Sequence, residues 1–243
     1  RSPRNVAGKG VRVTELTAEP RFALTVTIGL YAAAQKLYRR TGLFLLHPVL
    51  VSVAAVIGLL TTLDIDYETY HRGGKYLLFL LGPAVVALGL PLYDRLRELR
   101  ESAPAILVTT LFAGAAGIVS VTVPLLLAGI PEEIIRSLAP KSVTTPIALG
   151  IVETTGGIPS LTAAVVVATG ILGAIIGPPV LRLFGIVSGI PFGLAMGNSA
   201  HGIGTARALE EGETEGAAAG LAICLNGIVT AVLTPLLLAL ILG

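Results

Sequence analysis

The sequence predicts an all-α polytopic membrane protein made of two repeats of about four hydrophobic segments, and three observations carry that prediction. The first is composition: of 243 residues, 53% are hydrophobic and only 13% charged, with a mean hydropathy of +0.85, well outside the range of a soluble domain. The second is continuity. The windows Leu43–Leu60, Ala103–Ile130, Ile158–Val180 and Gly216–Leu242 are unbroken apolar runs, each approaching or exceeding the roughly 20 residues a helix needs to cross hydrocarbon. Barrel strands would alternate in ten-residue units instead. The third is self-similarity. A slide of 114 or 115 residues places Thr41-Gly42 on Thr155-Gly156, Gly82-Pro83-Ala84 on Gly197-Asn198-Ser199 and Gly89 on Gly204, and a four-residue adjustment places Pro124–Ala128 on Pro235–Ala239.

Taken in order, residues 1–21 form a polar, basic tail without the short apolar core of a secretory signal. Its Lys/Arg excess points to the cytoplasmic side. A single transmembrane domain, 22–243, follows, with repeat one at 22–130 and repeat two at 131–243. The first repeat reads Ala23–Tyr38, Leu43–Leu60, Tyr76–Leu92 and Ala103–Ile130; the second reads Glu133–Glu153, Ile158–Val180, Ile190–Leu209 and Gly216–Leu242. Tyr76–Leu92 carries Gly82-Pro83 and Pro91, and Ile190–Leu209 carries Pro191, Gly193, Gly197, Gly202 and Gly204. Interrupted segments at equivalent places in two halves mark the binding site of secondary transporters. If each is a re-entrant hairpin, three spans per copy remain and the second copy is inverted.

Ionisable side chains inside a membrane cost at least about 2.5 kcal/mol each on the insertion scale. The candidates are His47, Lys141, Glu153, His201 and Arg207. His47 precedes Pro48 near a segment start, where an interfacial position is the simpler reading. Glu153 is solvated at a half-helix end or paired with Lys141 across a bend. Arg207 opens a polar exit toward Glu210 and Glu211 and pairs or snorkels there. Lys141 follows Pro140, a residue suited to the first turn of a helix, and precedes Ser142, Thr144 and Thr145, with Pro146 as an early interruption. Free N–H groups, hydroxyls and an ammonium then converge as they do in a carboxylate or phosphate site. The second cluster runs from Asn198 through Ser199, His201 and Gly202 to Thr205. On a continuous helix, residues 198, 201, 202 and 205 share a face, with His201 able to carry a coupling proton.

Other classes fall on inventory. A net charge of +2 without basic–aromatic clusters argues against nucleic acid. The single Cys224 reads as a small buried hydrophobe. Zinc lacks a ligand set, no cofactor is expected, and no nucleophile is recognisably paired with a base. The protein is therefore expected not to be an enzyme.

The motifs LHPVLVS ending at Ser52, GPAVVALGLPLY ending at Tyr93, LAPKSVTTPIA at Leu138–Ala148, GGIPSLTA opening at Gly156 and SAHGIGTARALEEGE opening at Ser199 resemble those of the LrgB/CidB family. That family includes the homologous C-terminal half of the plant plastidic glycolate/glycerate transporter. The resemblance covers the chain from about residue 23 onward; His47 stands where asparagine is frequent in the family. It implies either carriage of small monocarboxylates such as glycolate, glycerate or pyruvate, or an antiholin-like or holin-like role in murein hydrolase export and lysis with a small LrgA/CidA-type partner. Repeats and broken segments are what a carrier needs. The expected site is Lys141, Ser142, Thr144, Thr145, Asn198, Ser199, His201 and Thr205, framed by breaks at Pro83, Pro140, Pro146, Gly197, Gly202 and Gly204. The expected surroundings are the lipid of a bacterial inner membrane, with a second copy of the chain as a further candidate partner.

Overall fold

A computed structural model describes residues 19–43, 46, 48–87, 89–94 and 96–243. His47 lies outside them. Among the described residues 87% are helical and there is no strand. Among the described residues three helices are long and apolar enough to cross a bilayer: Ala103–Leu127, Pro159–Leu183 and Glu213–Leu242. The protein is an all-α membrane protein. It divides into two compact units, residues 1–87 and 88–243.

The first unit holds α1 (Pro20–Thr41), α2 (Pro48–Thr62) and α3 (Tyr67–Ala87). Helix α1 packs on both others. Gly73 of α3 permits the contact with α3, because a Cβ there would sit 2.6 Å from that of Ala23. The Thr27 and Tyr70 hydroxyls lie 2.6 Å apart in the same seam. Helix α1 ends at Gly42 in the left-handed region, φ +60°, with its N–H bonded to the Tyr38 carbonyl, a conformation that costs glycine nothing. Pro83 was expected to break its segment, but α3 runs through it.

The second unit begins with two short helices, α4 (Gly89–Asp94) and α5 (Leu96–Glu101), and then the spanning helix α6 (Ala103–Leu127). Next come α7 (Glu132–Leu138), α8 (Thr145–Thr155), the spanning α9 (Pro159–Leu183), α10 (Gly189–Glu211) and the spanning α11 (Glu213–Leu242). Helices α6 and α11 run parallel. Ile106 shares one apolar cluster with Ala217, Ala218 and Ala222 at their N-terminal ends, while Ile118 shares another with Leu238 toward their C-terminal ends. Helix α9 runs the opposite way, starting beside α7 at the far face and finishing at the near face, where Arg182 pairs with Glu211 at 2.8 Å just before α11 begins.

Between the spans lie two re-entrant hairpins, entering from opposite faces. The first is α7–α8. The segment predicted as one stretch, Glu133–Glu153, is cut at residues 139–144, and α8 doubles back until its Thr155 carbonyl accepts a 3.1 Å bond from Arg136 Nη1. Ser137 fixes the base: its hydroxyl donates to the Glu133 carbonyl at 2.6 Å and accepts from the Ile158 N–H at 2.7 Å. Its carbonyl accepts from the Thr162 hydroxyl at 2.8 Å. Thr155-Gly156 closes α8 with Gly156 at φ +82°, the same left-handed stop that Thr41-Gly42 gives α1. The sequence repeat is thus also a repeat of local structure.

The second hairpin is α10 itself. Ala200 and His201 leave the helical region, His201 lying at φ +41°, ψ −132°, and the chain reverses there. Gly204 rests on the Met196 carbonyl, eight residues back, which a continuous helix would hold about 12 Å away. Glycine makes these approaches feasible. Gly193 and Gly197 lie against the backbone and small side chains of α11 at Glu215–Ala222, and a Cβ at Gly173 or Gly177 of α9 would come within 2.6 or 2.7 Å of Ala200 or Met196. Small residues that let backbones meet are the general device for packing helices in lipid.

The expectation of three spans per copy is corrected here. The third segment of repeat two is re-entrant as expected, but the first is too, so this copy contributes two spans, and the fourth segments α6 and α11 run parallel instead of inverted. The reason is the Pro140–Pro146 tract, which turns the chain back at mid-depth. Cys224, expected to be buried, is exposed on the outer face of α11.

Candidate functional site

The two hairpin tips meet halfway across the spans. Ser142 of the first tip lies beside Gly117, near the middle of α6, where a Cβ would come 3.3 Å from the serine oxygen. The second tip is held to the middle of α9, where the His201 ring packs on Gly170 and its Nε2–H donates to the Val166 carbonyl at 2.9 Å.

Asn226 of α11 stands between the tips, 1% exposed. Its Nδ2 donates to the Ser142 carbonyl at 3.3 Å and to the Asn198 carbonyl at 3.1 Å. Its Oδ1 accepts from the Thr230 hydroxyl at 3.2 Å, so every polar group of the side chain is engaged. Asn198 in turn donates from Nδ2 to the Thr110 hydroxyl of α6 at 3.4 Å, while its own Oδ1 is buried without a partner. Unpaired buried acceptors are uncommon and costly.

A cavity of about 1100 Å³ leads to this junction. It runs along one face of α6 (Ser102, Ala105, Thr109, Ala113 and Gly117), the C-terminal half of α9 and the first half of α10, from the exposed Glu98 near the start of α6 to Lys141, Ser142, Asn198 and Ser199. Its walls are mostly apolar. Lys141 Nζ lies at the inner end, 3.3 Å from the Ser142 hydroxyl, and among the described residues no carboxylate lies within ion-pair distance of it.

Four of the eight predicted site residues therefore meet: Lys141, Ser142, Asn198 and Ser199. The other four do not line the cavity. Thr144 and Thr145 sit at the start of α8, with Thr144 in the N-cap position but making no side-chain cap bond. His201 and Thr205 are buried behind the tip, the Thr205 hydroxyl donating to the His201 carbonyl at 2.9 Å. The shared helical face expected for residues 198, 201, 202 and 205 is lost because the backbone reverses at His201; Gly202 is exposed instead. Local starts shift as well. The helix begins at Thr145, with Pro146 in its first turn, so Pro140 and Lys141 belong to the turn before it and Pro146 starts a helix instead of interrupting one. Glu153 is exposed and does not pair with Lys141. Arg207 pairs with Glu211 at 2.6 Å and Glu210 at 3.6 Å, as its polar exit suggested. Asn226, Thr230 and Thr110 were missed. Asn226 and Thr230 lie four residues apart in an apolar run and Thr110 follows Thr109 in another, and only their meeting in space distinguishes them.

Fold and site together define a polytopic α-helical membrane protein with two opposed re-entrant hairpins around a cavity that ends on a lysine. The LrgB-like family model matches residues 27–240, and the chain belongs to that family. It is 36% identical over 217 residues to the uncharacterized protein YwbG of Bacillus subtilis, covering 89% of this chain and 96% of that protein. It is 38% identical over 190 residues to YxaC of the same organism, 78% and 83% covered. It is also 31% identical over 226 residues to the antiholin-like protein LrgB of Bacillus mycoides, 93% and 98% covered. No solved structure matches it.

Proposed function

We propose that the chain is a carrier of small monocarboxylates, of the glycolate, glycerate or pyruvate type, in a bacterial inner membrane. The observation that carries this reading is Lys141: a cation with no carboxylate partner among the described residues, at the inner end of a cavity where two half-crossing hairpins meet. A half-buried lysine at membrane depth is costly unless an anion visits it, and paired broken segments at mid-membrane are the recurring architecture of carrier sites. Lys141 would neutralise the carboxylate, Ser142 would donate to it, and Asn198 and Ser199 would meet the rest of the molecule. The apolar walls would lower the local dielectric and strengthen the charge interaction. In this reading the cavity is the access path from the near face, and the α7–α8 tip closes the far side.

The decisive measurement is uptake of labelled glycolate or pyruvate into liposomes containing the purified protein, with and without an inward proton gradient. Saturable uptake that a gradient accelerates supports a proton-coupled carrier. Leakage of unrelated solutes at the same rate sinks it. A second reading is an antiholin-like regulator of murein hydrolase export acting with an LrgA/CidA-type small protein; its antiholin-like part is favoured by the name of relatives such as the Bacillus mycoides protein. Under that reading the chain alone leaves liposomes tight and takes up no carboxylate.

A further inference from the structure

Asn226 does not line the cavity, carries no charge and belongs to none of the motifs by which the sequence is read, yet it touches both halves of the candidate site. One amide nitrogen has two hydrogens. Here one bonds the carbonyl of Ser142 on the α7–α8 tip and the other the carbonyl of Asn198 on the α10 tip. These partners stand 84 and 28 residues away in sequence and enter the membrane from opposite faces. The amide cannot be rotated to its alternative orientation without loss, because Oδ1 is held by the Thr230 hydroxyl one turn on. Gly114 of α6 makes the room: a Cβ there would stand 3.1 Å from that oxygen and 2.7 Å from Val229 Cγ1.

The two carbonyls it satisfies need it. A chain that turns back inside a membrane exposes backbone groups that lipid cannot solvate. Ser142 and Asn198 also line the cavity, beside Lys141 and Ser199. From this geometry we infer that Asn226 is the positioning residue of the site: its one NH2 group couples the two tips, so that whatever engages Lys141 and Ser142 on the first hairpin is felt at Asn198 and Ser199 on the second. The ligand part of this inference rests on the carrier reading; the coupling of the tips does not.

Hydrogen–deuterium exchange on the full-length protein in detergent or nanodiscs separates the two. Asn226→Leu keeps the volume and removes both donors. Exchange should then rise roughly tenfold at residues 139–144 and 198–204 together, the cost of two lost bonds to buried carbonyls, with the hairpin base at 156–162 unchanged. Thr230→Val, which removes only the anchor of Oδ1, should give the same pattern at roughly threefold, and it decides the matter alone if the leucine variant does not fold. Loosening of one tip only, or of α11 alone, overturns the inference.

A purely structural glue would pass that test but fail the next. Glycolate added to the wild type should slow exchange at both tips, whereas in Thr230→Val it should slow 139–144 and leave 198–204 much less affected. Equal protection of both tips in the variant refutes the coupling while leaving the carrier reading intact. If glycolate changes neither tip of the wild type but both loosen in the variants, the bridge stands and the carboxylate reading falls.

Discussion

The two re-entrant hairpins reach the same point by different means. The α7–α8 tip is six residues, 139–144, between separate helices, shaped by a proline on each side and carrying the site's only lysine. The α10 tip has no loop at all. It reverses on Ala200 and His201 within one helical stretch, and it is held from outside by glycines, by the Val166 carbonyl and by Asn226. One hairpin brings chemistry, and the other brings shape. Changing the first should therefore alter function with little effect on stability, and changing the second should do the reverse.

The sharpest way to break that contrast is at Lys141. Lys141→Ala should lower carboxylate uptake roughly ten- to a hundredfold, the range for losing one charge-assisted contact, with an unchanged unfolding midpoint in detergent, while Lys141→Arg keeps part of the uptake. Loss of fold along with activity would put stability into the hairpin that is here given chemistry.

Next in size is Gly170→Ala. Its Cβ would stand 2.5 Å from His201 Cε1 and 2.9 Å from Ile203 Cδ1, and overpacking of this kind costs about 1–3 kcal/mol. Gly150 of α8 has open space around it, so Gly150→Ala should be neutral or gain up to about 1 kcal/mol of helix propensity. Denaturation curves of the two variants side by side measure the difference between the hairpins directly.

A smaller effect separates two substitutions of one residue. His201 occupies a positive-φ position that strains any residue but glycine. His201→Gly and His201→Ala both lose the bond to Val166, but the glycine variant should be more stable by about 1–2 kcal/mol and should retain uptake. Loss of uptake in a stable His201→Gly protein would return the ring to the proton-carrying role that its sequence position suggested. Smallest is Arg136→Gln, at about 1 kcal/mol, since it loses a partly exposed ion pair with Glu132 and one bond to the Thr155 carbonyl.

The same contrast explains what was legible in the sequence. The spans at 103–127, 159–183 and 213–242 are visible because lipid demands continuous apolar helix, and the first tip is visible because proline cannot continue one. The second tip was noticed for its glycines and polar groups, but its face was drawn on an unbroken helix. A reversal at Ala200–His201 has no local signal, since neither residue is a breaker. It is imposed by packing against α9 and α11. Asn226 was invisible for a similar reason: a lone asparagine in a membrane helix declares nothing until its partners arrive.

The 114-residue offset sets Gly42 on Gly156, both left-handed helix stops, but the stretches before them differ. The stretch of α1 that the 114-residue offset sets against Pro140 and Lys141 contains Val26 and Thr27. Without a proline it stays a continuous helix of 22 residues. Two copies of one pattern thus diverged where the second acquired its turn, and counting spans from the pattern alone missed that.

One feature has a bearing on voltage. Lys141 lies beside the midpoint of α6, but the cavity opens from the near face down to it, and in the carrier reading that opening is a path for water. A membrane's electric field falls across the dry thickness that remains, here the layer beyond the tips. Geometrically the lysine is central, while electrically it lies close to the near face. An anion reaching it from that side would cross little of the potential, and its release past the α7–α8 tip would carry nearly the full work, about 2.3 kcal/mol per 100 mV for one charge.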